Sequence, residues 1–248
     1  MTLSPKKPVA PRTLAVDVGG TGIKAIILGA SGKPLTKRVR IPTPQHATPK
    51  NVVAIIQQLA ASLGAFDRVS VGFPGVVRGG KLLTAPNLGA GWAGFDLSGE
   101  LKRRLHCPAR IANDADVQGM ACVSGKGVEL VITVGTGFGS SLFVDGCNAH
   151  LELAHHPFRK GNTYEQELSH AALKRKGVAK WNRRLLEAVK LLQATFNCDR
   201  LFIGGGNSKF VRAKLPANVK VVSNLDGLLG GIKLWTDQTD ALTTRTRR

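Results

Sequence analysis

The chain has 248 residues, with 35 Lys and Arg against 16 Asp and Glu, a formal net charge of +19 at pH 7. Hydrophobic residues make up 43%, enough for one large packed domain or two lobes, which excludes wholesale disorder. Such a charge attracts a polyanion (nucleic acid, an anionic membrane or a phosphate chain), but aromatics are only 5% and scattered singly, against a base-stacking single-strand binder.

Residues 1–12, with Pro5, Lys6, Lys7, Pro8 and Pro11, read as a mobile basic arm with no apolar core of a secretory signal. No apolar stretch approaches the roughly 20 residues that span a bilayer. Cys107, Cys122, Cys147 and Cys198 show neither a CxxC pair nor zinc-ligand spacing, so a reduced, cytoplasmic protein is expected. Leu14–Val18 is a short apolar strand running into Gly19-Gly20-Thr21-Gly22. A second strand, Ile23–Leu28, a turn at residues 30–33 and a third strand, Leu35–Ile41, complete a meander. Thr48 and Pro49 start a helix through Leu63, with Val52, Val53, Ile56, Leu59, Ala60 and Leu63 on one stripe.

A strand at Val69–Phe73 stops at Pro74-Gly75. Gly75 to Lys81 then has P-loop spacing, but Leu82 replaces the metal-binding hydroxyl and no helix pattern follows, so the segment reads as a hairpin turn. Helix Leu97–Leu105 and strand Ala109–Ala112 lead to Asn113-Asp114. The grammar repeats about 115 residues later: strand Leu130–Val134, the turn Gly135-Thr136-Gly137-Phe138-Gly139, strand Ser140–Val144 and a bend at Asp145-Gly146. Residues 164–197 read as helical, strand Arg200–Ile203 ends in Gly204-Gly205-Gly206, and Leu225–Trp235 reads as a closing helix. The expectation is an α/β protein with mixed sheets and a cleft between two related lobes. One lobe covers 13–112 and the other 113–225, with a helix of about 226–242 packing back on the first.

Two constellations carry the chemistry. Glycines let the backbone approach an anion, and successive N–H groups form a nest for phosphate oxygens. Asp17, Gly19, Gly20, Thr21, Gly22 and Lys24 have this pattern, as do Gly135, Thr136, Gly137 and Gly139. Either turn alone reads equally as a tight hairpin; the duplication favours the anion site. Asp114, where a strand hands over to a helix, is placed to take a proton from a bound hydroxyl. Asn113 beside it can bind a sugar or simply cap the helix. Glu152 and His155 make a poor zinc site and a reasonable sugar clamp. From Phe158 to Lys220, 14 basic residues face Glu165, Glu167, Glu187 and Asp199, a local excess of +10 that an external polyanion would neutralise.

Taken as a set, Asp17–Lys24, Gly72–Val76, Thr84–Asn87, Trp92, Asp96, Asn113–Asp116, Gly135–Ser140, Asp145-Gly146, Glu152–His155, Tyr164-Glu165, Lys180-Trp181 and Gly204–Lys209 run in the order of a known family. The chain resembles the ROK-type sugar kinases, of the actin-like ATPase (ribonuclease H-like) superfold, and among them those that take inorganic polyphosphate as donor and glucose as acceptor. The resemblance implies a kinase in which Asp114 is the general base for the sugar 6-hydroxyl. Pro74, Gly75, Asn87, Asn113, Glu152, His155 and Glu165 would hold the sugar. The two glycine turns, with Gly205 and Gly206, would hold the donor phosphates, and Asp17 would act on Mg²⁺ through water. It further implies a homodimer, no membrane and no specific nucleic-acid partner, with ATP as the alternative donor. ROK repressors carry a helix-turn-helix ahead of the Asp17 segment; here only a dozen Pro- and Lys-rich residues precede it. Two departures stand out. Ala154 replaces a usual Gly, and the cysteine-rich zinc loop after His155 gives way to residues 156–161, so no structural zinc is expected.

Overall fold

The computed structural model describes residues 10–85, 88–222 and 226–236. Its first half is built on β1 (Thr13–Gly19), β2 (Gly22–Leu28) and β3 (Val39–Ile41), an antiparallel meander whose first bend is the Gly19–Gly22 turn. The third strand is shorter than its apolar pattern predicts. The Thr36 hydroxyl accepts the Ile27 N–H at 3.0 Å, replacing the ladder bond that a continuing strand would make, and Pro34 contributes only an isolated bridge to Leu28.

Helix α1 (Pro49–Leu63) starts at the Thr48 cap and buries Val52, Val53, Ile56, Leu59 and Ala60 against the sheet. Next come β4 (Arg68–Phe73), the small hairpin β5 (Val77–Arg78) and β6 (Lys81–Leu82), α2 (Leu97–Leu105), β7 (Ala109–Asn113) and α3 (Asp114–Cys122). The P-loop-like spacing is thus a β-hairpin, turned by Gly79 and Gly80 at φ of 57° and 78°.

The second half has β8 (Val128–Val134), β9 (Phe138–Val144), β10 (Cys147–Asn148), the hairpin β11 (Pro157–Arg159) and β12 (Asn162–Thr163), and α4 (Tyr164–Leu168). It ends with α5 (His170–Phe196), β13 (Arg200–Gly204) and β14 (Val219–Val221). Helix α5 breaks at Gly177, whose φ of 74° is outside the helical region. The sheets run β3-β2-β1-β4-β7 and β10-β9-β8-β13-β14. In each, the first three strands are antiparallel and the last two join in parallel. The duplication seen in two glycine turns therefore extends to the order and direction of whole five-stranded sheets.

Each sheet has its own core. One gathers Leu14, Ile23, Ile56, Phe73 and Trp92; the other Leu130, Ile132, Trp181, Leu185 and Ile203. Both buried indoles are satisfied: Trp92 donates to the Ala47 carbonyl at 2.8 Å and Trp181 to that of Leu168 at 3.0 Å. Helix α3 packs against strands of both sheets, which its small residues permit. Gly119 leaves no room for a Cβ beneath the Phe143 ring.

The expected closing helix is not continuous. It forms α6 (Asp226–Leu229) and then a 3₁₀ segment, Gly230–Trp235, squeezed between α3 and the first sheet. A Cβ on Gly230 would strike the Val117 carbonyl oxygen, so only glycine lets the segment pack this closely on α3. The part expected beyond residue 236 lies outside the described residues. Trp235 fastens the segment: its ring stacks with the Arg68 and Arg110 guanidiniums at 4.9 and 4.7 Å, and its N–H donates to Ser70 at 2.8 Å. Among the described residues no helix is long and apolar enough to cross a membrane.

Candidate active site

The two glycine turns face one another across a cavity of about 700 Å³. On one side, β1 delivers Asp17 and the bend Gly19-Gly20-Thr21-Gly22. On the other, β8 delivers Thr133 and the bend Gly135-Thr136-Gly137, with Gly139 already in β9. Gly205 and Gly206, past the end of β13, complete the second side. Pro74 and Gly75, past the end of β4, and Glu152, His155 and Glu165 line the rest, with Asn113 and Asp114 at the β7–α3 junction. The structure thus brings every anticipated site residue it describes to one cavity; Asn87 lies outside the described residues.

Two glycines of the hairpins serve space rather than left-handed backbone. A Cβ on Gly22 would strike the Arg40 guanidinium, and one on Gly139 would lie 2.5 Å from the Thr133 hydroxyl. Neither position has a positive φ. The exception is Gly205, at φ 86°, where a Cβ would also meet the Val134 carbonyl oxygen at 2.4 Å. Across the first hairpin Asp17 faces Lys24 in register, and the pair forms a salt bridge of 2.6 Å.

Asp114 opens α3. Its Oδ1 accepts the Ala115 N–H at 2.8 Å. Burial, followed by the negative charge of Asp17 and smaller contributions from Glu152 and Asp116, pushes its carboxyl up to about 7. Glu152 is likewise raised, chiefly by burial, although the Ala154 N–H at 3.0 Å opposes the effect. Asn113 is the N-cap: its carbonyl oxygen accepts the Ala115 and Asp116 N–H groups at 2.8 and 3.3 Å, and its amide nitrogen donates to the Gly75 carbonyl at 3.0 Å. Capping and a position on the cavity coincide in one side chain. Glu165 Oε2 accepts the Phe138 N–H at 3.2 Å, which ties this acidic side chain to the second bend.

Several lining or supporting groups were not singled out as site residues from the sequence. Arg40, paired with Lys24 between β2 and β3, donates to the Thr21 carbonyl at 2.6 Å and lies over the first bend. Thr43 donates to the Gly19 carbonyl at 2.5 Å. Thr84, Gln118, Thr133 and Phe138 also line the cavity. Strand register and loop packing bring Arg40, Thr43, Thr84, Gln118 and Thr133 there, whereas Phe138 belongs to the second bend itself. Among the described residues no group of three or more His, Cys, Asp and Glu is arranged to hold a metal ion.

The ROK family model matches residues 13–150, more than half of the chain and all of its first glycine turn, Asp114 and second glycine turn. The chain belongs to the ROK family. This ROK protein is 32% identical over 245 residues to a polyphosphate glucokinase of Mycobacterium leprae (strain TN), covering 88% of this chain and 73% of that one. It is 28% identical over 234 residues to the polyphosphate glucokinase of Mycobacterium tuberculosis (strain ATCC 25177 / H37Ra), covering 87% and 88%. Among solved structures it is similar to the inorganic polyphosphate/ATP-glucomannokinase of Arthrobacter sp. strain KM, with a TM-score of 0.82, 31% identity, and coverage of 94% and 99%. A ROK glucokinase of Streptomyces griseus, solved with glucose and AMPPNP, shares the fold at a TM-score of 0.75 and 18% identity, covering 90% and 98%. The ROK protein described here is a sugar kinase with the two-lobed, actin-like ATPase fold.

Proposed function

We propose that this ROK sugar kinase transfers a phosphoryl group from inorganic polyphosphate to the 6-hydroxyl of glucose, giving glucose 6-phosphate. One observation carries the reading: a buried carboxylate raised to about 7, Asp114, lies in a cavity walled by two glycine bends. Phosphoryl transfer needs mainly positioning, neutralisation of phosphate charge and a base for the attacking hydroxyl. Glucose sits against Pro74-Gly75, Asn113, Glu152, His155 and Glu165. The N–H groups of Gly19–Gly22, Gly135–Gly137 and Gly205-Gly206 hold the donor phosphates.

As the sugar 6-oxygen attacks the terminal phosphorus, Asp114 accepts the hydroxyl proton. The bond from that phosphorus to the bridging oxygen breaks, and the donor leaves one phosphate shorter. A carboxyl near 7 is well matched to this work: it is substantially ionised at neutral pH and basic enough to drive proton removal.

Asp17 is suited to Mg²⁺, a hard ion that usually takes one or two carboxylates together with donor phosphate oxygens and waters. When bound, Mg²⁺ supplies positive charge to the donor phosphates. Lys24, 2.6 Å from Asp17, adds a fixed cation to the same wall.

The donor assignment rests on the unspent positive charge of the second half. Glu167 and Glu187 are taken up by Lys176, Arg184 and Arg159, and Arg200 pairs with Glu129. Lys174, Lys180, Arg183, Lys190, Lys209, Lys214 and Lys220 form no ion pair among the described residues. Lys209 follows Gly205-Gly206 by three positions. A long phosphate chain can run along such a surface, whereas a nucleoside triphosphate needs only the local site. ATP is the second reading, because the Arthrobacter relative is named for both donors. Incubation with glucose and Mg²⁺ and either polyphosphate or ATP separates them. Glucose 6-phosphate formed faster from polyphosphate supports the proposal; formation from ATP alone removes it.

A further inference from the structure

The two half-sites meet through two successive residues, Tyr164 and Glu165, in the first turn of α4. Glu165 faces both ways. Its carboxylate accepts the Phe138 N–H of the second glycine bend at 3.2 Å, and its own N–H donates to the Ala154 carbonyl, between Glu152 and His155, at 3.0 Å. Tyr164 repeats the arrangement. Its ring stacks on Phe138 at 5.3 Å between centroids and on Phe158 at 4.7 Å, while its N–H donates to the His156 carbonyl at 3.3 Å. Four contacts from adjacent residues therefore join the loop that carries Glu152 and His155 to the bend that carries Gly135–Gly137.

The turn that makes these contacts is held firmly. Thr163 and Gln166 form a reciprocal capping box at its start. Behind it the buried Glu167 accepts from Lys176 at 2.5 Å and from Asn162 at 2.8 Å. A rigid element with one contact set on each half-site transmits a shift at one to the other, because packed side chains do not absorb displacement.

We propose that the Tyr164–Glu165 pair is the positioning element through which sugar occupancy and donor occupancy strengthen each other. The proposal rests on the sugar-kinase reading above. A hydroxyl that draws Glu165 and the 152–155 loop inward moves Phe138 and its bend with them, closing the N–H nest around a phosphate. By linkage the effect is reciprocal: sugar tightens donor by the same factor as donor tightens sugar. The device also limits wasted donor, since the nest is fully formed only when an acceptor is present.

The test uses 6-deoxyglucose, which lacks the attacking hydroxyl and leaves the donor intact. The affinity for a short linear polyphosphate, and separately for AMPPNP, is measured by calorimetry with and without saturating 6-deoxyglucose. The affinity for 6-deoxyglucose is measured with and without each donor. The expected result is a reciprocal gain on the order of tenfold in the wild type, within the range usual for linked sites. It falls to about one in Glu165→Ala and Tyr164→Leu and is retained in Glu165→Gln, which keeps an oxygen for the Phe138 N–H, and in Tyr164→Phe. Glu165→Ala also weakens sugar binding by itself, but the gain is a ratio and is insensitive to that loss. If Tyr164→Leu does not fold, Glu165→Ala decides alone. No gain in the wild type, or a full gain in Glu165→Ala, overturns the proposal. Failure of the underlying reading looks different: no sugar is phosphorylated by wild-type protein with either donor.

Discussion

Replacing Asp114 with Asn should make the protein more stable while disabling it, and the stabilisation should depend on pH in a defined way. Burial and the neighbouring charges of Asp17, Glu152 and Asp116 raise the Asp114 carboxyl from its ordinary 3.8 to about 7. Between those values the folded protein holds a proton that the unfolded chain releases, so stability falls as pH rises through the window and the full cost is present above pH 7. At roughly 1.4 kcal/mol per factor of ten in proton affinity, that cost is about 4 kcal/mol. Asn has nearly the same shape, carries no charge, and keeps an oxygen to accept the Ala115 N–H. For a chain of this size each kcal/mol moves Tm by about 2–4 °C. Asp114→Asn should therefore melt about 10 °C above wild type at pH 8, with the difference shrinking on acidification and vanishing near pH 4. Thermal unfolding of both proteins from pH 4 to 8, without ligand, gives the answer. Equal Tm values at pH 8, or an offset unchanged across the series, would show that the ionised carboxylate is not under strain.

Catalysis should titrate with the same group. Since Asp114 must be ionised to accept a proton, kcat/KM for sugar should fall tenfold per pH unit below about 7, and an acid limb centred near 4 would contradict the raised carboxyl. Gly75→Ala places a Cβ 2.0 Å from the Thr84 carbonyl oxygen, and Gly75 also holds the Asn113 amide. It should raise the glucose KM on the order of tenfold and cost about 1–3 kcal/mol of stability, checked by steady-state kinetics and denaturant unfolding. Reversing charge on the second half, Lys174→Glu with Lys209→Glu, should raise the KM for polyphosphate at least several-fold and flatten its salt dependence, with less effect on ATP; equal losses with both donors argue against a surface path for the chain. Trp235→Ala removes the Arg68–Trp235–Arg110 stack and the bond to Ser70 and should destabilise by about 2 kcal/mol, read as a lower urea midpoint with unchanged sugar KM.

The meander, α1, α2 and the β7–α3 junction were legible because each has a local cause: alternation, a cap, a proline or a glycine bend. The repeat was legible too, since Asp17–Lys24 and Gly135–Ser140 share a grammar that needs no alignment. What escaped reading depends on contacts distant in sequence. Thr36 delays the start of the third strand by taking an Ile27 N–H, and the closing segment, packed against α3 at Gly230, runs as short turns and not as one helix. Arg40 reaches the first bend only through the β2–β3 register. Asn113 caps α3 as one reading expected, and the same cap sets it on the cavity wall that the sugar reading needs. Glu165 was reached only through the family resemblance, as a sugar ligand, and its bond to Phe138 exists only in three dimensions.

The most direct test of the account is the activity of Asp114→Asn with glucose, Mg²⁺ and polyphosphate, measured alongside glucose binding. The account predicts a kcat lower by roughly 10²–10⁴-fold with glucose affinity close to wild type. An undiminished kcat would contradict it, because phosphoryl transfer would then proceed without the carboxylate on which the whole cavity converges.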